Sequence, residues 1–131
     1  EQIKTSIFLL EYSVEYIRKN ATAARPIRNQ DLDEALQKEF NFKKPLGDAH
    51  IRAIIHESRL QINIYNDEGE NGWLCANVNG YFISFEPSTI NAWNNSFFNK
   101  INEMMKVYQK SLRVLSERTF YKQGKLFDDA D

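Results

Sequence analysis

A single cysteine, Cys75, stands in 131 residues. It excludes an internal disulfide and any metal cluster built on cysteine, and it points to a reducing, cytoplasmic setting. Proline occurs three times and glycine five times, so breaks in the chain are few and each marks a boundary to be located. No apolar run approaches the ~20 residues that span a bilayer, and the start lacks the pattern of a secretory leader. A glycine-rich phosphate loop, a nucleophile elbow and paired carboxylates are also missing. His50 and His56 share no helical face well and have no third ligand in the sequence, so neither a metal nor a cofactor is expected, and an enzyme is not expected either. What is present is a core-forming composition, 42% hydrophobic and 13% aromatic, sufficient for one globular domain without staples. A start at Glu1 rather than Met and an unfinished-looking acidic end fit a fragment of something longer.

The net charge of −1 argues against strong nonspecific attraction to polyanions, but the charges are unevenly spread. Residues 16–60 carry nine Lys/Arg against six Asp/Glu. Residues 61–90 carry four acids, Asp67, Glu68, Glu70 and Glu86, and no Lys or Arg. Residues 91–131 return to +2, so the basic character sits on the helical part and the hairpin is acidic.

Hydrophobic spacing predicts an α+β chain. A helix is expected from Ile3 to Asn20, where Ile3, Ile7, Leu10, Val14 and Ile17 share a face. Arg25-Pro26-Ile27-Arg28 leaves that helix and offers a short extended segment, a third strand beside a later hairpin. A second helix is expected from Asn29, its N-cap, with Leu32, Ala35, Leu36 and Phe40 inward. The turn Lys43-Lys44-Pro45-Leu46-Gly47 follows. Asp48 then offers the N-cap of a third helix, Ala49 to Leu60, which turns Ile51, Ile54, Ile55 and Ser58 inward. From Ile62 the period becomes two. The spacing predicts a hairpin with Asp67 to Gly72 as its tip, a bend at Asn79-Gly80, and Gly80 to Phe85 as the returning strand. From Ser88 a long helix is expected to about Glu117, and residues 119–131 read as a tail or linker after a domain spanning 1–118. Two apolar stripes run along that helix. Phe98, Met105 and Leu112, seven residues apart, form the second, which suits a partner chain in a homodimer.

The run Asp48 to Leu60, with the order Ile-Arg-x-x-Ile-x-x-x-Arg inside it, and then Asn79-Gly80-Tyr81-Phe82-Ile83-Ser84, resembles the winged helix-turn-helix DNA-binding domains of phage and mobile-element proteins. The resemblance implies a three-helix core, a two- to three-stranded wing and a long C-terminal helix. It also implies double-stranded DNA as partner, with the third helix in the major groove and a role in transcription regulation or in replication or maintenance, without catalysis.

Under that reading Arg52 is placed for a base edge and Arg59 for a phosphate, with His50 and His56 on the same outward side. Lys43 and Lys44 in the turn, and Arg25 and Arg28 beside the short strand, are placed for the DNA backbone. The acidic stretch Asp67, Glu68 and Glu70, expected at the wing tip, opposes this, because phosphates repel it. A protein-interaction module is the alternative, using the acidic wing and the last helix. A subunit of a larger replication or restriction enzyme is a third reading. The hairpin aromatics are expected in packing, with Trp73 and Phe82 toward the core and Tyr81 and Phe85 against the last helix.

Overall fold

The computed structural model describes residues 6–129, with side-chain surroundings as far as Thr119. It is α+β, with four helices and one two-stranded antiparallel sheet. The chain divides into two compact units, Glu1–Trp93 and Asn94–Asp131.

α1 is Ile7–Asn20, and Ser6 caps it by accepting the Leu9 N–H at 3.3 Å. Leu9, Leu10, Ser13, Val14 and Ile17 are buried. The helix starts later than its spacing predicts, and Ile3 lies outside the described residues. α2 is Asn29–Phe40. Its cap position falls on Arg28, one residue before the expected Asn29, and the Asp31 carboxylate reaches back to accept the Arg28 backbone N–H at 3.2 Å.

α3 is Asp48–Gln61. Its cap position is Gly47, at φ 91°, a left-handed value that favours glycine. Asp48 is therefore the first helical residue rather than the cap. The capping task passes to a residue of another helix: Asp33, 8% exposed, accepts the Leu46 N–H at 2.9 Å and the Gly47 N–H at 3.0 Å. One carboxylate thus closes the turn between α2 and α3 and satisfies two donors that lie before the first helical bonds of α3. Ile51, Ile54, Ile55 and Ser58 are buried, as their spacing requires.

The hairpin differs from its expected form. β1 is Trp73–Asn77 and β2 is Gly80–Ser84, paired antiparallel with Trp73 opposite Ser84 and Asn77 opposite Gly80. The tip is Val78-Asn79, where the Asn77 side-chain oxygen accepts the Asn79 N–H at 2.8 Å. Ile62 to Ile64 is not a strand. The acidic loop is a separate turn closed by a Tyr65–Asn71 bridge, and the Asn66 side-chain oxygen accepts the Glu68 and Glu70 N–H groups. The alternation of Ile62 and Ile64 misled because only Ile64 is deeply buried, and the pairing there goes no further than the Tyr65–Asn71 bridge and the Gly72 N–H donating to the Ile64 carbonyl at 2.8 Å.

Ile27 does sit beside the hairpin, as a single bridge to Tyr81 with N–H···O distances of 2.9 and 2.7 Å. Gly80 makes room for it, because a Cβ there would run into the Ile27 carbonyl. The core beneath joins Leu10 and Ile17 of α1, Leu32 and Leu36 of α2, Ile51 and Ile54 of α3, and Leu74, Cys75 and Phe82 of the hairpin.

α4 is Pro87–Asp129. Proline at the first helical position needs no N–H partner, and the Glu86 carbonyl accepts the first bond, from Ile90, at 3.1 Å. The expected cap at Ser88 is thus displaced. The helix also continues past Glu117, so residues 119–129 are helical instead of an aperiodic tail. Among the described residues no helix is long and apolar enough to cross a membrane.

Replacing Asp33 with Ala removes two charge-assisted hydrogen bonds and strands both donors in a partly buried turn. The expected loss is roughly 3 kcal/mol in urea unfolding, and a loss below ~0.5 kcal/mol would show that the turn holds without the carboxylate.

Candidate functional site

The sheet register decides which sequence-predicted residues stand together. Ile27 pairs with Tyr81, so the Arg28 backbone stands beside Gly80 next to the hairpin tip, whereas Arg25 lines a cleft between α1 and α2 with Tyr12, Tyr16, Asp31 and Glu34. At the tip end the Asn77 amide reaches the Ala23 carbonyl at 3.5 Å. At the same end the Tyr81 hydroxyl donates to the Asn29 side-chain oxygen at 2.6 Å, tying β2 to the start of α2.

Tyr81 also locates α3. Burial raises the pKa of its phenol above the ordinary 10.0, opposed by the nearby Arg59 and Arg52 guanidiniums, while Asp48 adds to the rise. The phenol therefore stays protonated at neutral pH and remains the donor in its bond to Asn29. Arg52 and Asp48, from the first turns of α3, are both close enough to Tyr81 to act on it. Seven residues further along, the Arg59 Nε donates to the Leu74 carbonyl at 2.8 Å. Leu74 lies near the base of the hairpin, so Arg59 ties the last turn of α3 to that end.

Arg25, Arg28, Arg52 and His56 are exposed, His50 is half-buried, and Lys43 and Lys44 are exposed in the turn before α3. Arg28 keeps only a loose, exposed ion pair with Asp31 at 3.9 Å, of the kind that contributes little. The hairpin tip Asn77-Val78-Asn79 itself carries no charge, and Val78 on it is fully exposed.

Arg59 does not join the exposed arginines. Its guanidinium sits over the Trp93 ring, 4.8 Å from the centroid, and Nη2 is buried without a hydrogen-bond partner among the described residues. Burial lowers its pKa, against raising influences from Tyr81 and Cys75. Spacing alone put Arg59 outward on α3; the Leu74 carbonyl and the indole ring of Trp93 draw it inward.

The acidic loop moves as well. It precedes Trp73, at the base of the hairpin, and five residues of strand at ~3.3 Å each separate it from the tip. Asp67, Glu68 and Glu70 thus lie at the opposite end of the hairpin from its Val78-Asn79 tip and from Arg28 beside Gly80. Among the aromatics, Phe82 is in the core as expected. Trp73, rather than Tyr81, meets the last helix, with its ring 5.3 Å from that of Trp93. Phe85 faces Arg18, whose guanidinium lies 5.2 Å from the ring centroid.

Sequence reasoning missed Asn29 and Tyr81 as the pair that joins hairpin and helices. The signal available was Asn77-Val78-Asn79-Gly80, a short turn with asparagines and a closing glycine, which places the hairpin tip there and not at Asp67. No protein-family model matches this chain, and neither a curated protein nor a solved structure matches it.

Arg59→Ala is expected to cost about 2 kcal/mol of stability, from the lost carbonyl bond and the lost ring contact, and to shift tryptophan emission through Trp93. An unchanged urea midpoint with unchanged emission would make Arg59 a bystander.

Proposed function

We propose that the unit Glu1–Trp93 is a winged-helix module that binds double-stranded DNA through α3 and the hairpin tip, without catalysis. The observation that carries this reading is the assembly around Tyr81. Arg28 stands beside Gly80 next to an uncharged hairpin tip, Arg52 lies on the exposed side of α3, and the acids of residues 67–70 stand at the base of the hairpin. The charge separation supports the reading because affinity for duplex DNA is built chiefly from Lys and Arg contacts to phosphates. A helix whose buried side is Ile51, Ile54, Ile55 and Ser58 leaves Ala49, Arg52, Ala53 and His56 for a major groove that admits one helix.

In this arrangement Arg52 reads a base edge. Arg25, Arg28, Lys43 and Lys44 hold phosphates, with His50 and His56 beside the reading face. Arg59, committed to Leu74 and Trp93, serves to fix α3 against the hairpin. The protein acts as a regulator or as a replication or maintenance accessory of prokaryotic or phage type, as a pair of chains joined through α4. The alternative is a protein-interaction module on the same fold. It is favoured by the apolar side chains that α4 exposes, among them Met104 at 70% and Leu115 at 63%.

Fluorescence anisotropy with a duplex selected from a random pool separates the two. Arg52→Ala should cost ~1–3 kcal/mol on the preferred site and relax sequence choice there. Lys44→Ala should weaken all duplexes alike and reduce the log K against log salt slope by about 1. Folded protein that binds no duplex at low salt would overturn the DNA reading.

A further inference from the structure

Within the second unit, Asn94–Asp131, α4 keeps a seven-residue repeat. Ile101, Tyr108 and Leu115 recur at one position, Met104 and Ser111 at another, and Phe98, Met105 and Leu112 at a third. A strict seven-residue apolar repeat suits a helix that supercoils with another helix rather than one lying on a globular core. The side chains concerned are open to solvent: Met105 is 50%, Tyr108 57% and Met104 70% exposed. Large apolar side chains offer on the order of 200 Å² each. About eight of them at roughly half exposure present ~800 Å², the share of one partner in a standard protein interface.

We propose that residues 94–119 pair with the same segment of a second copy, antiparallel and centred near Lys106. Charge selects the direction. Residues 94–105 hold Lys100 and Glu103, net zero, whereas residues 106–119 hold Lys106, Lys110, Arg113 and Arg118 against Glu117, four minus one, or +3. A parallel pair sets +3 beside +3. An antiparallel pair sets +3 beside the half of zero net charge, which is rich in asparagine.

Volume selects the same direction. In a parallel pair Tyr108 meets Tyr108 and Ser111 meets Ser111, which crowds one layer and leaves the next hollow. With the centre near residue 106, Ile101 lies opposite Ser111 of the second copy and Met104 opposite Tyr108. Phe98 flanks Leu112, and Met105 lies beside its own copy. Large residues thus face smaller ones in successive layers, as close packing requires.

This inference deepens the paired-chain part of the reading above and does not depend on DNA, because its test contains none. Light scattering on the full chain at tens of micromolar should give twice the chain mass, and Met105→Lys should return it to one. Spin labels on Lys106→Cys and Glu117→Cys then report direction, while buried Cys75 stays unlabelled. In an antiparallel pair the Glu117 labels lie about 33 Å apart along the axis, at 1.5 Å per residue over twice eleven residues. The Lys106 labels lie within about a helix–helix distance of each other. Short distances for both labels would mean a parallel pair, and a monomeric chain would mean a different occupant; either overturns the proposal.

Discussion

The Asp33 carboxylate is the constraint on which the first unit depends. It projects from α2 into the turn that follows, and its two oxygens take the N–H groups of Leu46 and Gly47. Gly47 sits at a φ that favours glycine, and a glycine has no side chain with which to cap a helix. Where α3 begins, and so where Arg52 stands relative to α2, is therefore set from α2 itself. A capping residue within the turn would have fixed only the local angle. A carboxylate thirteen residues back fixes the two helices against each other, which is what a surface built across both of them needs.

The hairpin is held to this frame by a second set of contacts, at its other edge. Gly80 lets the Ile27 backbone approach, Ile27 bridges Tyr81, and the Tyr81 hydroxyl reaches Asn29 at the head of α2. Arg59 does the same from α3 by reaching the Leu74 carbonyl. Each of these polar bonds contributes on the order of 1 kcal/mol, small beside the burial of the isoleucines and leucines below. Their effect is positional. Burial holds the layers together but leaves their mutual register loose; the directional bonds fix it, and with it the separation of the basic end from the acidic loop.

Much of this was legible in the sequence. The inward face of α3 followed from the spacing of Ile51, Ile54, Ile55 and Ser58, while the third strand expected around Ile27 is reduced to one isolated bridge to Tyr81. The returning strand was legible too, since Gly80 to Phe85 was expected and β2 is Gly80–Ser84; the first strand was not, because Ile62 and Ile64 imitate alternation while the true one, Trp73–Asn77, reads as a mostly continuous apolar run. Placing the tip at Asp67 then made the acidic residues look like an obstacle to anion binding. The inward turn of Arg59 was illegible for a different reason: its acceptor is a backbone carbonyl fifteen residues away, and carbonyls leave no mark in a sequence. Asp33 was visible only as an acid in the first turn of a helix, a place where acids are common, and its long-range role needed the fold.

The central claim is that one end of the hairpin and the exposed side of α3 form a single anion-binding surface. The most direct measurement is a backbone amide chemical-shift map of the labelled protein titrated with a short duplex at low salt. The account predicts shifts in fast or intermediate exchange at residues 25–29, 43–44, 49–56 and 77–81, with residues 66–71 unmoved. Shifts centred on residues 66–71, or none in any of the first four segments, would contradict it.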